Sequence, residues 1–442
     1  YVIDCWYDSG AATFAQFHYP FEKESGKTFE KHFPYDFITE SIDQTRGWFY
    51  TLHVLGALLF DSSAFKSVVV GGLLVDEKGE KMSKSKGNTL DPFEIFDAVG
   101  VDAVRLQICS SAPDATKRFG VALVNEGVKP LLTVLWNSCY FASEVLGKKA
   151  EAGARDLPLK IEDRWIISRT NSVVAAVDDA LGRHEYHACM QELKSFVIDD
   201  FSRWYIRIIR DRASAPDDAL QYTFRYITSR AVKLLAPFAP YISEEIYQLL
   251  VKEKPVSVHL SEWPKAEAAD SELESQMTIA RSLVESVLSG RDHMQRGLKW
   301  PLKRVSVVTN DSKVKQAVRA LAEVIKKQCN VKELTLSEEF KEARQRVKAD
   351  YSKLEPTFGS ITPKIIANLA MHSTQAVLQH IEGEGSFRLE VDGQIISITK
   401  EHLITEKEIP GNYVQAQSQY ADIYLDTEMT EEMEAEGYAR EL

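Results

Sequence analysis

Two lysines and two serines within one pentapeptide, Lys81-Met82-Ser83-Lys84-Ser85, are the side chains best suited to chemistry on a phosphate. The pentapeptide follows an apolar run, Ser67–Val75, that predicts a buried strand. Glycines on both sides favour turns. Open α/β sheets bind phosphates beyond the carboxyl ends of their strands, so the pattern indicates a mobile phosphate-binding loop. A solvated lysine-rich hairpin tip is the alternative. The residues expected at the start of the next helix, at N-cap, N1 and N3, are Asp91, Pro92 and Glu94.

A second polar segment begins at the end of another predicted strand, Pro34–Thr39, and leads into a predicted helix, Ile42–Phe60. The first turn of a helix at the carboxyl end of a strand faces the ligand crevice. We therefore expect the polar residues of this turn to lie at the same edge as the lysine-rich loop. In a purely structural alternative, Ser41 and Gln44 form a capping box and Asp43 only favours the helix dipole.

Composition limits the class of protein. The chain has 442 residues, of which 44% are hydrophobic and 27% charged, and its net charge is −12. These values are typical of a globular protein with several domains. We expect no membrane span, because no run of about 18 apolar residues occurs. Five scattered cysteines without a CxxC pair predict reduced thiols, a cytoplasmic location and no structural zinc. Since both ends lack the features of natural termini, we expect a fragment of a longer protein.

The order of elements predicts an α/β domain followed by an α-helical domain and a small α+β region. The boundaries are 1–119, 120–264 and 265–442. Strands and helices alternate in the first domain, which predicts a parallel sheet, but the strands are too few for a complete one. The helices predicted for the second domain are Gly127–Leu146, Glu162–Leu181, Tyr186–Asp211, Ala219–Leu235 and Ile242–Val251. The elements predicted for the third are the helices Gln276–Gly290 and Lys313–Gln328, the strand Arg304–Thr309, and a hairpin of Phe387–Val391 and Ile395–Thr399.

Two basic clusters could contact nucleic acid despite the acidic net charge, because binding can use a local basic face. Arg203, Arg207 and Arg210 recur at helical spacing, with Trp204 and Tyr205 between them. In the structural alternative, these arginines pair with nearby aspartates. The second cluster consists of Arg291, Arg296, Lys299, Lys303 and Arg304.

The pentapeptide resembles the second signature of the class I aminoacyl-tRNA synthetases, a loop that closes over ATP. The run Asp43–Phe49 (DQTRGWF) is similar to the isoleucyl branch of this family, whereas the valyl and leucyl branches have other residues there. The opening Asp4–Gly10 (DCWYDSG) resembles the family's Trp-Phe-Asp-Ser-Gly element, with Tyr7 in place of phenylalanine. The resemblance covers nearly the whole chain and is closer to the archaeal and eukaryotic branch. Further matching segments are Asp163–Ile166, Ser202–Arg212, Leu235–Ile246 and Asn330–Glu333.

This resemblance implies a Rossmann-type catalytic domain, of which the chain contains the second half, and an anticodon-binding helical bundle. It implies that Trp6 and Trp48 wall an apolar pocket for the isoleucine side chain. A place in the ordinary core is the alternative for each tryptophan. Glu40 would lie against the aminoacyl-adenylate, and Gln44 would contact the amino acid.

On the nucleotide side, the resemblance implies that Asp43 binds the ribose hydroxyls. Lys84, supported by Lys81, would neutralise phosphate charge as pyrophosphate leaves, and Ser83 and Ser85 would also contact ATP. Such a reaction needs no protein nucleophile, since the enzyme supplies position and positive charge. Magnesium would arrive with ATP, and we predict no dedicated metal ligand in this chain.

The resemblance also implies the partners tRNA(Ile), L-isoleucine and ATP, and a monomeric protein with no membrane contact. The family's first signature, His-Ile-Gly-His, does not occur in the sequence, and no segment corresponds to the inserted editing domain. We therefore expect the chain by itself to be inactive. Two alternatives stay open, a valyl-type enzyme and a non-catalytic tRNA-binding module.

Overall fold

The computed structural model describes residues 4–147, 157–251 and 255–441, and the chain forms two compact units, Tyr1–Ser271 and Glu272–Leu442. The strands of the first unit are β1 (Tyr35–Ser41), β2 (Phe65–Gly71), β3 (Leu74–Val75) and β4 (Lys117–Arg118). Its helices are α1 (Cys5–Gly10), α2 (Ala12–Ala15), α3 (Ser25–His32), α4 (Trp48–Phe60), α5 (Pro92–Val99), α6 (Val101–Cys109), α7 (Val121–Gly127), α8 (Lys129–Leu146), α9 (Ile161–Gly182), α10 (Tyr186–Ser195), α11 (Arg207–Ile209), α12 (Asp218–Leu235) and α13 (Pro240–Ile246).

Parallel pairing of β1 with β2 organises the α/β part of this unit, as the sequence predicts. The register places Glu40 beside Val70 and Ser41 beside Gly71, so both strands end at one edge. Helix α4 connects them and packs a small apolar core against β1. The buried members of this core are Ile38, Phe49, Leu52 and Ala64.

The strand predicted over Ser67–Val75 is interrupted. β2 ends at Gly71, and β3 pairs with β4 rather than with β1. A side chain at Gly72 would lie 2.1 Å from the carbonyl oxygen of Ala115, and the Gly72 amide donates to Pro113 O at 2.8 Å. The two backbones thus approach too closely for any residue with a Cβ, and the chain changes partner at this glycine.

The helix predicted over Ile42–Phe60 is also divided. Residues Ile42–Arg46 form a 3₁₀ turn, and α4 begins only at Trp48. Gly47 separates them with a main-chain conformation outside the helical region (φ −133°, ψ −111°). This break lets the Gln44 side chain of the turn accept a hydrogen bond from the first amide of α4.

The helical part of the first unit surrounds a buried ionic cluster. Asp163 is completely buried, accepts from the Tyr205 hydroxyl at 2.8 Å, and bonds both terminal nitrogens of Arg212 at 3.0–3.1 Å. Arg212 also reaches Glu162 at 2.9 Å. Two π-helical segments, Phe196–Ile206 and Tyr247–Val251, extend α10 and α13 respectively. The helix predicted over Gly127–Leu146 is α8, which begins at Lys129, and the one predicted from Ile242 begins earlier, at Pro240.

The second unit contains a four-stranded sheet and a separate smaller core. The strands are β5 (Leu302–Val308), β6 (Val331–Ser337), β7 (Arg344–Ala349), β8 (Phe387–Val391), β9 (Gln394–Ile398), β10 (Leu403–Glu408), β11 (Tyr413–Gln417) and β12 (Asp422–Asp426). The sheet order is β11-β12-β5-β6, with β5 and β6 parallel, and the predicted hairpin forms from β8 and β9. The helices are α14 (Ser271–His293), α15 (Ser312–Ala320), α16 (Ala322–Cys329), α17 (Tyr351–Phe358), α18 (Thr362–Leu369), α19 (Thr374–Glu384) and α20 (Glu431–Glu441). The helix predicted over Lys313–Gln328 is therefore two helices that meet at Leu321.

The second basic cluster predicted from the sequence is largely structural. Arg291 is only 1% exposed, and its guanidinium donates to main-chain carbonyls, including Cys329 O at 2.7 Å and Trp300 O at 2.8 Å. Burial lowers the pKa of Arg291 to about 10, so the group stays charged at neutral pH. Arg304 pairs with Glu333, and Lys303 with Glu428. These cations hold elements of the unit together, and the hypothesis of an RNA-binding face here is wrong for Arg291.

Candidate active site

Five residues from two stretches of sequence line an open cavity of about 340 Å³ at the carboxyl end of β1. They are Trp6, Ser9, Glu40, Gln44 and Trp48. The volume lies within the range of small-molecule sites. The structure thus brings together all four residues predicted for the amino-acid side, and adds Ser9, which sequence reasoning missed.

Helix α1 supplies one wall of the cavity. Asp4 caps this helix by accepting from the Trp6 amide at 2.8 Å, and Trp6 remains 43% exposed at the cavity rather than entering the core. The Trp48 indole donates to the main-chain oxygen of Ser9 at 3.1 Å, which ties α1 to α4. A side chain at Gly10 would lie 2.7 Å from Thr51, so the two helices approach as closely as glycine permits.

Gln44 is held by the start of α4. Its Oε1 accepts from the Trp48 amide at 2.9 Å, while Ser41 makes no capping hydrogen bond. The capping box between Ser41 and Gln44 is therefore not formed. A Cβ on Gly47 would stand 2.6 Å from the same Oε1, so glycine is required for this arrangement. Asp43 is exposed beside Gln44, whose Nε2 approaches its carboxylate at 3.4 Å.

The chemistry of the cavity follows from its walls. Two indole rings offer an apolar surface suited to a branched aliphatic side chain. Glu40 and Gln44 place a carboxylate and an amide beside them, which suits the ammonium and carboxylate of a free amino acid. Glu40, like Asp43, is exposed.

The lysine-rich loop is organised by Asp76 and Asn88. The Asn88 amide donates to Asp76 Oδ2 at 2.9 Å, and its oxygen accepts from the Ser83 amide at 2.9 Å. Asp76 also accepts from the amides of Lys78 and Glu80. These bonds, that from Asn88 first, hold the pKa of Asp76 below its usual range. Sequence reasoning found neither Asp76 nor these bonds of Asn88.

Within the loop, the hydroxyls of Ser83 and Ser85 lie 3.2 Å apart, and Lys81 and Ser85 are exposed. Lys86 is paired with Glu80 at 2.9 Å, which raises the pKa of the lysine through the hydrogen bond. Residues Lys84–Lys86 form a 3₁₀ turn, but the Lys84 side chain lies outside the described part of the structure. Gly79 and Gly87 have positive φ, and Asp91 caps α5 with Pro92 at its first position, as predicted.

Topology relates the loop to the cavity. The cavity follows the carboxyl end of β1, and the chain leaves the adjacent end of β2 at Gly71 to reach β3 and the loop.

Two family models match the chain: tRNA synthetases class I (I, L, M and V) over residues 1–119, and the anticodon-binding domain of tRNA ligase over residues 163–308.

The chain belongs to the class I aminoacyl-tRNA synthetase family.

Curated relatives refine this assignment. An isoleucine–tRNA ligase from Methanothermobacter marburgensis is 37% identical over 99% of this chain, and one from Thermus thermophilus is 37% identical over 100% of it. The chain spans 43% and 44% of the length of these two relatives. Because these two relatives are equally identical to the chain, its assignment to the archaeal and eukaryotic branch stays a prediction. A solved LeuRS–tRNA–LeuAMS complex from Agrobacterium radiobacter K84 matches at 21% identity and TM-score 0.48, over 61% of this chain and 33% of that one, which is too weak to inform the fold.

The arginines of the helical part lie on one exposed face. Arg203, Arg207 and Arg210 are all exposed, and Arg203 pairs with Asp199 at 3.1 Å. Trp204 and Tyr205, by contrast, are 3% and 0% exposed. The aromatic rings between the arginines therefore belong to the core and are not exposed for stacking on bases.

Other predicted features concern metals, thiols and membranes. In the residues that the structure describes, no group of three or more His, Cys, Asp or Glu side chains is placed to hold a metal ion. The five cysteines are free thiols. None of the described helices is both long and apolar enough to cross a membrane.

Proposed function

We propose that the complete protein activates L-isoleucine with ATP and transfers it to tRNA(Ile). The main support for the proposal is the cavity at the carboxyl end of β1, next to the strand β2 that leads to the lysine-rich loop. The cavity is lined by Trp6, Glu40, Gln44 and Trp48. Homology to isoleucine–tRNA ligases along 99% of the chain supports isoleucine over the valyl alternative. Since the chain spans 43% of that relative, the activity belongs to the complete protein.

On the amino-acid side, the two indoles hold the aliphatic chain of isoleucine. Gln44 is fixed by the bond from the Trp48 amide to its Oε1, and its Nε2, which lies 3.4 Å from the Asp43 carboxylate, donates to the substrate. Glu40 lies against the adenylate as it forms. This arrangement favours the reaction by orientation, since it holds the substrate carboxylate in line with the α-phosphorus.

On the nucleotide side, Asp43 binds the ribose hydroxyls. Lys81 and Lys84 neutralise the charge that develops on pyrophosphate, and Ser83 and Ser85 donate to phosphate oxygens. Magnesium enters as part of the ATP substrate complex. The Asp76–Asn88 bond holds the base of the loop, so that its cations can move as a unit.

The remaining proposals concern organisation. Residues 1–119 form the second part of a Rossmann-type catalytic domain, 120–264 an anticodon-binding bundle, and 265–442 an appended region. The exposed face of Arg203, Arg207 and Arg210 contacts tRNA. The protein is a cytoplasmic monomer that needs no zinc bound to this region.

Substitution within the loop tests the proposal. Lys84→Ala in the complete protein should slow isoleucine-dependent ATP–pyrophosphate exchange by roughly two to four orders of magnitude, about 3–5 kcal/mol of transition-state stabilisation. Lys86→Ala is the matched control, because Lys86 is engaged by Glu80. It should change the rate by less than about threefold. A loss of less than about threefold for Lys84→Ala would remove the loop from the proposed mechanism.

A further inference from the structure

Two charged side chains of α6 form hydrogen bonds with the turn between α12 and α13 of the bundle, and we call this contact the joint. Asp102 is buried, and its two oxygens accept from the amides of Tyr241 at 3.3 Å and Ile242 at 2.7 Å. Arg105, three residues on, donates to Phe238 O at 3.1 Å and to a neighbouring carbonyl at 2.7 Å. Four hydrogen bonds thus join positions more than 130 residues apart in sequence.

The charges match the two helix ends that they contact. Asp102 meets the first free amides of α13, whose first residue, Pro240, has no N–H to offer. Arg105 meets carbonyls that follow the end of α12. Helix dipoles favour an anion at an amino end and a cation at a carboxyl end, and bonds with a charged partner are the stronger kind. Both contacts therefore stiffen the same turn between α12 and α13.

At its carboxyl end, helix α6 continues into a segment that is fixed to β3, the strand before the lysine-rich loop. Beyond α6, the chain runs to Pro113, whose carbonyl accepts from the Gly72 amide, and on to β4, which pairs with β3. Lys117 fastens this connection by donating to Ala112 O and Pro113 O, both at 2.7 Å. Helix α6 is thus fixed to the α/β part at one end while its side chains hold the bundle.

We propose that Asp102 and Arg105 are positioning residues that set the orientation of the helical bundle relative to the α/β part. In this way they direct a tRNA bound on the bundle toward the Trp6–Trp48 cavity. The inference rests on the proposed function. Because adenylate formation uses only residues of the α/β part, loss of the joint impairs transfer to tRNA and spares activation. A misplacement of about 1 Å at a reacting centre can cost about a hundredfold in rate.

The test compares two activities in the complete protein. Arg105→Gln, Asp102→Asn and the double variant are assayed for tRNA-independent isoleucine-dependent pyrophosphate exchange and for aminoacylation of tRNA(Ile). Aminoacylation kcat/KM should fall roughly 10- to 100-fold, while exchange changes by less than about threefold. Peptide-level hydrogen exchange should show faster exchange at Tyr241 and Ile242. Asp97→Asn, at an exposed carboxylate on the preceding helix, is the control and should leave all three readouts unchanged.

The outcomes are distinguishable. Arg105→Lys, which retains a cationic donor, should recover part of the aminoacylation lost in Arg105→Gln. Arg105 is exposed, so its variants decide the question even where the buried Asp102→Asn fails to fold. Unchanged aminoacylation, or an equal loss of both activities, would overturn the proposal. An unmodified protein without isoleucine-dependent exchange would refute the proposed function instead, while the hydrogen-exchange result would still report on the joint.

Discussion

At the scale of single residues, the candidate site depends on glycines as much as on polar groups. Gly47 lets Gln44 cap α4 from a position that any Cβ would contest at 2.6 Å. The same Cβ would approach the Trp6 ring at 3.4 Å. The position of Gln44 and the shape of the cavity are thus both set by one missing side chain.

Gly47→Ala should therefore weaken isoleucine binding. The flexible Gln44 amide will yield, lose its bond to the Trp48 amide and turn into the cavity. We expect the KM for isoleucine in pyrophosphate exchange to rise about tenfold, the equivalent of one lost hydrogen bond at the site. Gly26→Ala is the control, since a Cβ there meets nothing within 4 Å. An unchanged KM would mean that Gln44 does not contact the amino acid.

The residues of the cavity could largely be found from sequence through the resemblance to the synthetase family. That resemblance implied roles for the side chains of Trp6, Glu40, Gln44 and Trp48. Ser9 contributes a main-chain carbonyl to Trp48, which no residue type announces. The sequence also did not predict that Gln44 caps α4 instead of forming a capping box with Ser41. This arrangement depends on the backbone conformation at Gly47.

At the scale of elements, the lysine-rich loop is held by side-chain hydrogen bonds of Asp76 and Asn88. Asn88 bonds Asp76 at one end of the loop and Ser83 in its middle. The contribution of the Asp76 carboxylate to the stability of the loop is present at neutral pH. Because its folded pKa is depressed, that contribution is lost as the pH falls through the folded pKa, below the usual aspartate range.

Asn88→Asp should open this loop at neutral pH. The new carboxylate would face Asp76 across a distance now bridged by a 2.9 Å hydrogen bond, and like charges disfavour ionisation of both groups. We expect pyrophosphate exchange to fall about tenfold at pH 8, with part of the loss recovered near pH 6 as one carboxyl group retains a proton. Asn137→Asp, at an exposed position on α8, adds the same charge as a control. A loss that does not depend on pH would contradict the repulsion argument.

Element types were predictable here, whereas their interruptions were not. The apolar run Ser67–Val75 is extended throughout most of its length, but it changes partner at Gly72 because Ala115 lies against it. That contact joins segments more than forty residues apart, so local periodicity contains no trace of it. The buried ionic cluster of Asp163, Tyr205 and Arg212 has the same long-range origin.

At the scale of the whole molecule, an acidic chain presents one exposed row of arginines on its helical part. Asp200, an aspartate close to this row in the sequence, pairs with Arg169 at 2.9 Å. Arg203 does pair with Asp199, but both side chains are exposed and such pairs contribute little. Contact with a polyanionic partner is therefore the proposal to test for this row.

Arg207→Glu should weaken tRNA binding and flatten its salt dependence. Phosphate contacts release counterions, so the slope of affinity against salt concentration reports how many remain. We expect about a tenfold loss of affinity near physiological salt and a melting temperature within about 2 °C of the unmodified protein. Arg319→Glu, an exposed arginine of the second unit, controls for the change in net charge. Collapse of stability with unchanged tRNA binding by the folded fraction would make the row structural.

The central claim is that the Trp6–Trp48 cavity and the lysine-rich loop activate isoleucine. The most direct measurement is amino-acid-dependent ATP–pyrophosphate exchange by the complete protein, with isoleucine and valine compared by kcat/KM. An apolar pocket of the right size favours the side chain with the additional methylene, so we predict a higher kcat/KM for isoleucine than for valine. A preference for valine would assign the site to the valyl branch, and the absence of exchange with either amino acid would contradict the account.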